Sequence, residues 1–176
     1  MFLQYKHITI RNAGPTDAAQ LSAWWNDGKI MAHAGFPIGT GQTAEGIAAD
    51  IVRDTDKTHR RLMIEIDGLS SGEMMYENLS GGTAEIGIKI CDVSKRDKGF
   101  GKIILSMLIS SLFHDLGFQK IILDTNTANK RAQHVYERLG FRKVRVRENA
   151  WKDQLGQLQS SVDYELVPDD FVNFAG

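Results

Sequence analysis

Residues 94–102, SKRDKGFGK, set Arg96, Gly99 and Gly101 in an Arg-x-x-Gly-x-Gly spacing among Lys95, Lys98 and Lys102, just before a long apolar run. A helix N-terminus already carries positive partial charge and normally attracts acidic residues. Cations added there suit an anion, and glycines let a phosphate approach the backbone N–H groups closely. Two familiar phosphate signatures do not fit. A Walker loop needs Ser or Thr where Ile103 stands, and a dinucleotide fingerprint needs a third glycine where Ile104 stands. The loop is therefore an anion cradle of another kind or a solvated basic turn, and the spacing alone leaves both open.

Other candidates stand apart from this loop. Glu85 falls on the polar side of the alternating segment TAEIGIKI, where a carboxylate serves as a general base or simply faces water. Tyr136 falls on the apolar face of a helical segment, as a core residue or as a phenol with a proton to give. Cys91 reads as a small buried residue. His33, His59, His114 and His134 show no metal-ligand spacing, and no metal is expected. Trp24 and Trp25 are adjacent on a helix, so at most one can point fully into the core. The other, Trp25, is expected to line a ligand pocket with Phe36 and Tyr76.

These residues need a scaffold, and the apolar periodicity supplies one. HITIRNA alternates like a strand, and GPTDAAQLSAWWND and TAEGIAADIVRDT have helical spacing. RRLMIEI, GEMMYENL and TAEIGIKI form a meander punctuated by Asp67-Gly68 and Gly81-Gly82. A helix follows the basic loop, with Ile104, Leu105, Leu108, Ile109, Leu112, Phe113 and Leu116 as its stripe. Then come a buried strand KIILDT, a helix with Ala128, Ala132, Val135, Tyr136 and Leu139 on one side, and a closing hairpin. The order β-α-α-β-β-β-α-β-α-β-β predicts an α/β (α+β) fold, a mixed sheet of about seven strands flanked by about four helices. Residues 1–176 are expected to form a single domain.

Composition narrows the class. A formal net charge of −1 argues against a general nucleic-acid binder, and no nucleic-acid partner is expected. No stretch reaches the roughly 18 apolar residues of a membrane span, and no signal-peptide core opens the chain. One cysteine cannot form an internal disulfide, so a cytoplasmic location is expected.

Three motifs, in this order on these elements, resemble the GNAT superfamily of acetyl-CoA-dependent N-acetyltransferases. The loop Arg96-x-x-Gly99-x-Gly101 resembles the family's Arg/Gln-x-x-Gly-x-Gly/Ala loop. AEIGIKI resembles its central strand, and NTANKRAQHVYERLGF resembles its closing motif, Asn-x-x-Ala/Ser then Tyr-Glu-x-x-Gly-Phe. The likeness covers residues 6–167, and WWND further resembles the ribosomal-protein N-terminal acetyltransferase subgroup.

The resemblance implies acetyl-CoA as co-substrate, with its phosphates on Arg96, Asp97, Lys98, Gly99, Phe100, Gly101 and Lys102. It implies a pantetheine arm along Ile88, Lys89 and Ile90, a strand N–H as oxyanion donor, and Asn126, Asn129 and Ala132 beside the arm. Glu85 would be the base acting through water, and Tyr136 the acid for the departing thiolate. The acceptor would be a protein N-terminal amine. An aminoglycoside or polyamine acceptor, and a non-catalytic acyl-CoA sensor, are the alternatives. The closing strands would pair two copies as a homodimer.

Overall fold

The computed structural model describes all 176 residues, Met1–Gly176. The chain opens with β1 (Phe2–Tyr5), turns at Lys6 with φ 54° and returns as β2 (Ile8–Asn12). A 3₁₀ turn leads into α1 (Ala18–Trp25), followed by α2 (Gly28–Met31) and α3 (Ala44–Ile51). The meander is β3 (His59–Ile66), β4 (Leu69–Leu79) and β5 (Thr83–Ile90). Then come α4 (Phe100–His114), β6 (Lys120–Asn126), α5 (Lys130–Arg138), β7 (Arg142–Lys152) and β8 (Leu158–Leu166).

Eight strands and five α-helices replace the expected seven and four. The additions are β1, whose four residues are too few to show alternation, and α2, a single turn capped by the Asp27 side chain. Local chemistry explains the boundaries that sequence did mark. Asp67 and Gly68 both take positive φ, 56° and 75°, as a type I′ hairpin between β3 and β4 requires. Thr43 caps α3 by accepting from Gly46 N, and Asn129 caps α5 by accepting from Ala132 N.

The strands form one sheet in the order β1-β2-β3-β4-β5-β6-β8-β7. One face packs on α4 and α5 through a 25-residue cluster that includes Ile64, Tyr76, Ile104, Leu108, Leu123 and Tyr164. The other face packs on α1 and α3 through eight residues, among them Leu21, Trp24, Ile47, Met63 and Cys91. Helix α4 is buried nearly all round, because Leu3 and Tyr5 of the edge strand β1 and the C-terminal Phe171 and Phe174 add to the cover that the central strands give it. The buried Ser106 hydroxyl is satisfied there by accepting from Phe174 N at 2.9 Å. Two apolar positions depart from expectation. Leu116 lies beyond the helix end and is 40% exposed, and Ala128 precedes α5 and is exposed.

The feature that makes room for a site is a split in the sheet. Strand β5 pairs with β4 along its whole length, from Leu79↔Thr83 to Gly72↔Ile90. With β6 it pairs only at Thr83↔Lys120, Ala84↔Ile121 and Glu85↔Ile122. Beyond Glu85 the two parallel strands part, and β6 stays with β8 as far as Asn126↔Ser161.

Candidate active site

A cleft of about 1110 Å³ fills this split. At one end it is bounded by the turn before α4. The backbone N–H groups of Asp97, Lys98 and Gly99 have no intramolecular partner, and the first N–H groups of α4 point the same way by helix geometry. Gly99 caps α4 with φ 80°, a left-handed conformation that a side chain disfavours, although a Cβ there would meet nothing within 4 Å. A Cβ at Gly101 would touch only Ile90 Cδ1 at 3.9 Å, so the protein's own packing does not demand glycine there. The residues present therefore fit a diphosphate-bearing ligand: open donors, a helix start and room for close approach.

The charged side chains of this loop are more committed than the sequence implied. Arg96 donates through Nε to Ile90 O at 2.9 Å, fastening the loop to the end of β5. Lys102 lines the cleft but holds its Nζ 4.8 Å over the Phe174 ring. The Lys98 side chain is not part of the cleft lining, while its backbone N–H is one of the open donors of the turn. Asp97, in the left-handed region at φ 59°, is held by both carboxylate oxygens to Arg131 Nη1 at 2.9 Å. That pair links the α4 loop to the first turn of α5 across the mouth of the split. Nothing in the spacing of Arg131 marked it in advance.

Ile88, Lys89 and Ile90 lie along the unpaired stretch of β5 and line the cleft, as do Phe100, Asn126, Asn129 and Ala132. Asn126 braces the opposite strand, donating to Gln159 Oε1 at 2.8 Å and accepting from Ala128 N at 2.9 Å. Gln133, unmarked by sequence, is buried and donates to Thr127 O at 2.9 Å, which holds the β6–α5 turn.

Midway along the cleft, Glu85 sits at the last position where β5 and β6 still pair. Its carboxylate has neither a hydrogen bond nor an ion-pair partner. Burial first, then Asp124 and Glu77 nearby, raise its pKa, against the opposing effect of Arg147. Tyr136, on the α5 wall, is 7% exposed, with its ring 5.8 Å from Phe141 and 5.7 Å from Tyr164. The hydroxyls of Tyr76 and Tyr164 donate to Asp56 and Glu137, whereas that of Tyr136 bonds to nothing in the protein. Burial, helped by Asp124, pushes the Tyr136 phenol up to about 12, so it keeps its proton. Burial likewise pushes the Cys91 thiol up to about 12, which leaves it a protonated core residue.

The far end of the cleft is lined by the α1–α3 connection and the floor of β3 to β5. Trp24 takes the core position at 9% exposure, and Trp25 turns to the cleft and donates to Glu73 Oε1 at 2.7 Å. Phe36 lines the cleft as expected. Tyr76 does not: it is 0% exposed, on the α4 side of β4. The parity of β4 decides this. Glu73 and Met75 point to the cleft, Met74 is buried in the α4-side core with only its edge reaching the cleft, and Tyr76 lies wholly in that core. Sequence missed Met75 and Trp151 on this wall. His33, His59 and His134 also line the cleft, and no group of three or more His, Cys, Asp or Glu residues is arranged to hold a metal ion. No helix is long and apolar enough to cross a membrane.

A family model for the acetyltransferase (GNAT) domain matches residues 7–142. No curated protein matches the sequence. Among solved structures, the chain is similar to a spermidine N-acetyltransferase from Vibrio cholerae in complex with CoA and spermine. The TM-score is 0.83 at 20% identity, over 95% of this chain and 99% of that one. A ribosomal α-N-protein acetyltransferase in complex with coenzyme A gives a TM-score of 0.83 at 13% identity, over 97% and 99%. A ribosomal-protein-alanine acetyltransferase from Vibrio fischeri gives 0.80 at 15%, over 98% and 99%. At such identities the superpositions establish the shared fold, while the family match covers most of the chain and the strand–loop–helix cradle. The chain belongs to the GNAT family of acetyltransferases, enzymes whose co-substrate is acetyl-CoA.

Proposed function

We propose that the 176 residues act as one unit that moves an acetyl group from acetyl-CoA to a primary amine by direct attack in a ternary complex. The observation that carries this reading is the pair Glu85 and Tyr136. Both line one cleft, Glu85 where β5 and β6 part and Tyr136 on the α5 wall, and neither side chain has a hydrogen-bonding partner in the protein. Acetyl-CoA supplies a thioester carbonyl that the amine attacks, forming the C–N bond and breaking the C–S bond.

Glu85 takes the amine proton through a water molecule, and its raised pKa makes it a stronger base than an exposed glutamate. An N–H from the unpaired part of β5, at Ile88 to Ile90, donates to the developing oxyanion. Tyr136 returns a proton to the leaving thiolate, which its high pKa allows because it remains a phenol at neutral pH. Asp97 to Lys102 hold the phosphates through backbone N–H groups, with Lys102 beside them. Asn126, Asn129 and Ala132 bound the arm from the β6–α5 side.

The charges favour a single-cation acceptor such as a peptide α-amine over a polyamine or aminoglycoside. Four carboxylates line the cleft, and three are paired: Glu73 with Lys89 at 3.2 Å, Asp97 with Arg131 at 2.9 Å, Asp124 with Arg147 at 3.0 Å. Only Glu85 is left for an ammonium group. An α-amine, with a pKa near 8, is also more readily neutral than a side-chain amine near 10. The named activity of the ribosomal-protein neighbours agrees with this reading, and that of the spermidine neighbour with the alternative.

A second copy is expected to pair along β7, the sheet edge where Val144 and Val146 are 57% and 49% exposed. A cytoplasmic setting suits the lone Cys91 thiol. The test is coenzyme A thiol release with acetyl-CoA and a panel of peptides, polyamines, aminoglycosides and amino acids. Release with one class names the acceptor. Silence, with acetyl-CoA still raising Tm, leaves a sensor. Silence without a Tm shift overturns the reading.

A further inference from the structure

The acceptor end of the cleft has a roof, the connection from α2 to α3, and this roof is tied down on two sides. Toward α1, Thr40 N donates to Trp25 O at 2.9 Å and Gly41 N to Asn26 Oδ1 at 2.7 Å. Toward the β7–β8 hairpin, one residue makes three bonds. Gln154 N donates to Gly35 O at 2.9 Å, Gln154 Oε1 accepts from Ile38 N at 3.1 Å, and Gln154 Nε2 donates to Gly39 O at 2.7 Å. Beside this clamp the Trp151 ring lies against Gly35 so closely that a Cβ there would sit 2.4 Å from Cζ3. The Trp151 indole is fixed by donating to Ser161 Oγ at 3.0 Å.

Beneath the roof the surfaces are apolar: Trp25, Phe36, Met75 and Trp151, with Met31 behind. The ionic groups offer nothing to a second cation. Glu85 is the one unpaired carboxylate, Arg61 is held by Asp54 at 2.5 Å, and Lys29 is an unpaired cation at the rim. His59, on the floor, keeps a buried Nε2 without a partner, the only such side-chain atom in the molecule. An ammonium group beyond the reacting nitrogen would meet Lys29, Arg61 and a Glu73 already engaged by Lys89 and Trp25, rather than a free acid.

We propose that the acceptor is a primary monoamine carried on an apolar body, and that Gln154 is the positioning residue that holds the roof over that body. This rests on the acetyl-transfer reading of the same cleft. Burial of apolar surface against fixed aromatic walls supplies the binding, while the missing counter-charge penalises a second ammonium by leaving it desolvated. Gln154 suits the clamp because one amide both donates and accepts. Glu at this position keeps the bond from Ile38 N and loses the one to Gly39 O.

The experiment measures kcat and KM in the thiol-release assay with peptides beginning in Phe, Leu, Gly or Lys, with 2-phenylethylamine and with spermidine. Apolar monoamines are expected to exceed spermidine and the Lys- and Gly-starting peptides by about 10-fold or more in kcat/KM. The Phe peptide against 2-phenylethylamine separates a protein end from a small amine as the source. Gln154→Ala, at an exposed position, is expected to raise acceptor KM about 10-fold and leave acetyl-CoA KM unchanged, with Gln154→Glu in between. Preference for spermidine, or equal effects of Gln154→Ala on both KM values, overturns this inference and leaves acetyl transfer standing. Silence with every amine overturns both.

Discussion

The two halves of the cleft are made of different material. The half proposed to hold the cofactor is backbone: a run of open N–H groups at 97–99 and a strand edge at 86–90 without a β6 partner, from two neighbouring stretches of chain. The far half, the proposed acceptor end, is side chain: Trp25, Phe36, Met75, Glu85 and Trp151, from five segments spread over 126 positions. A ligand shared by many enzymes is gripped by geometry that most side chains tolerate. A ligand peculiar to one enzyme is gripped by side chains that can change without disturbing the fold.

The largest effect should come from breaking the backbone half. Gly99→Glu sets an anion where phosphates would lie, and a Cβ there meets nothing, so the variant folds at a cost of about 1–2 kcal/mol for the left-handed backbone. Acetyl-CoA should then fail to raise Tm, and full-affinity binding would refute the loop assignment. Next is Tyr136→Phe, which should lower kcat about 10²-fold and leave acetyl-CoA KM near its original value. Unchanged turnover returns Tyr136 to the core.

Glu85→Gln should lower kcat/KM about 10-fold at neutral pH and abolish the acid limb of the wild-type profile. That limb should lie above the usual glutamate range, because burial raises the pKa. Stability should run the other way. A carboxyl whose folded pKa is raised contributes stability that is fully present below its unfolded pKa and lost as pH rises through the folded one. The variant should therefore exceed wild type in Tm at neutral pH and converge with it in acid. The smallest effect should come from Arg131→Gln. The pair with Asp97 is exposed and is worth under about 1 kcal/mol to stability. The Asp97 charge left unpaired beside the phosphates should raise acetyl-CoA KM a few-fold, leaving acceptor KM unmoved.

What could be read from the sequence divides along the same line. The loop, strand β5 and helix α5 were legible because their chemistry is contiguous: a glycine spacing, an alternation, a capped helix. Acceptor residues were not. Trp25 and Phe36, singled out by their size, do line the cleft, yet Tyr76 lies in the core because alternation alone does not say which face of β4 meets the cleft. Trp151 and Gln154 carry no local signal at all. They matter because a hairpin near the C-terminus meets a loop more than a hundred positions earlier. Arg96 was legible as a cation and illegible as a brace, since its partner is a carbonyl of the strand end.

The parting of β5 from β6 also predicts how this molecule exchanges with solvent. An unpaired strand edge usually lies at the rim of a sheet, where it can recruit another chain. Here it lies inside the sheet, between the starts of α4 and α5, as one wall of the cleft. In the free protein, every second amide from 86 to 90 faces this gap and should trade its hydrogen quickly, while its neighbours bonded to β4 stay protected. Acetyl-CoA should slow those amides selectively, so that one strand records through its exchange rates whether the site is filled.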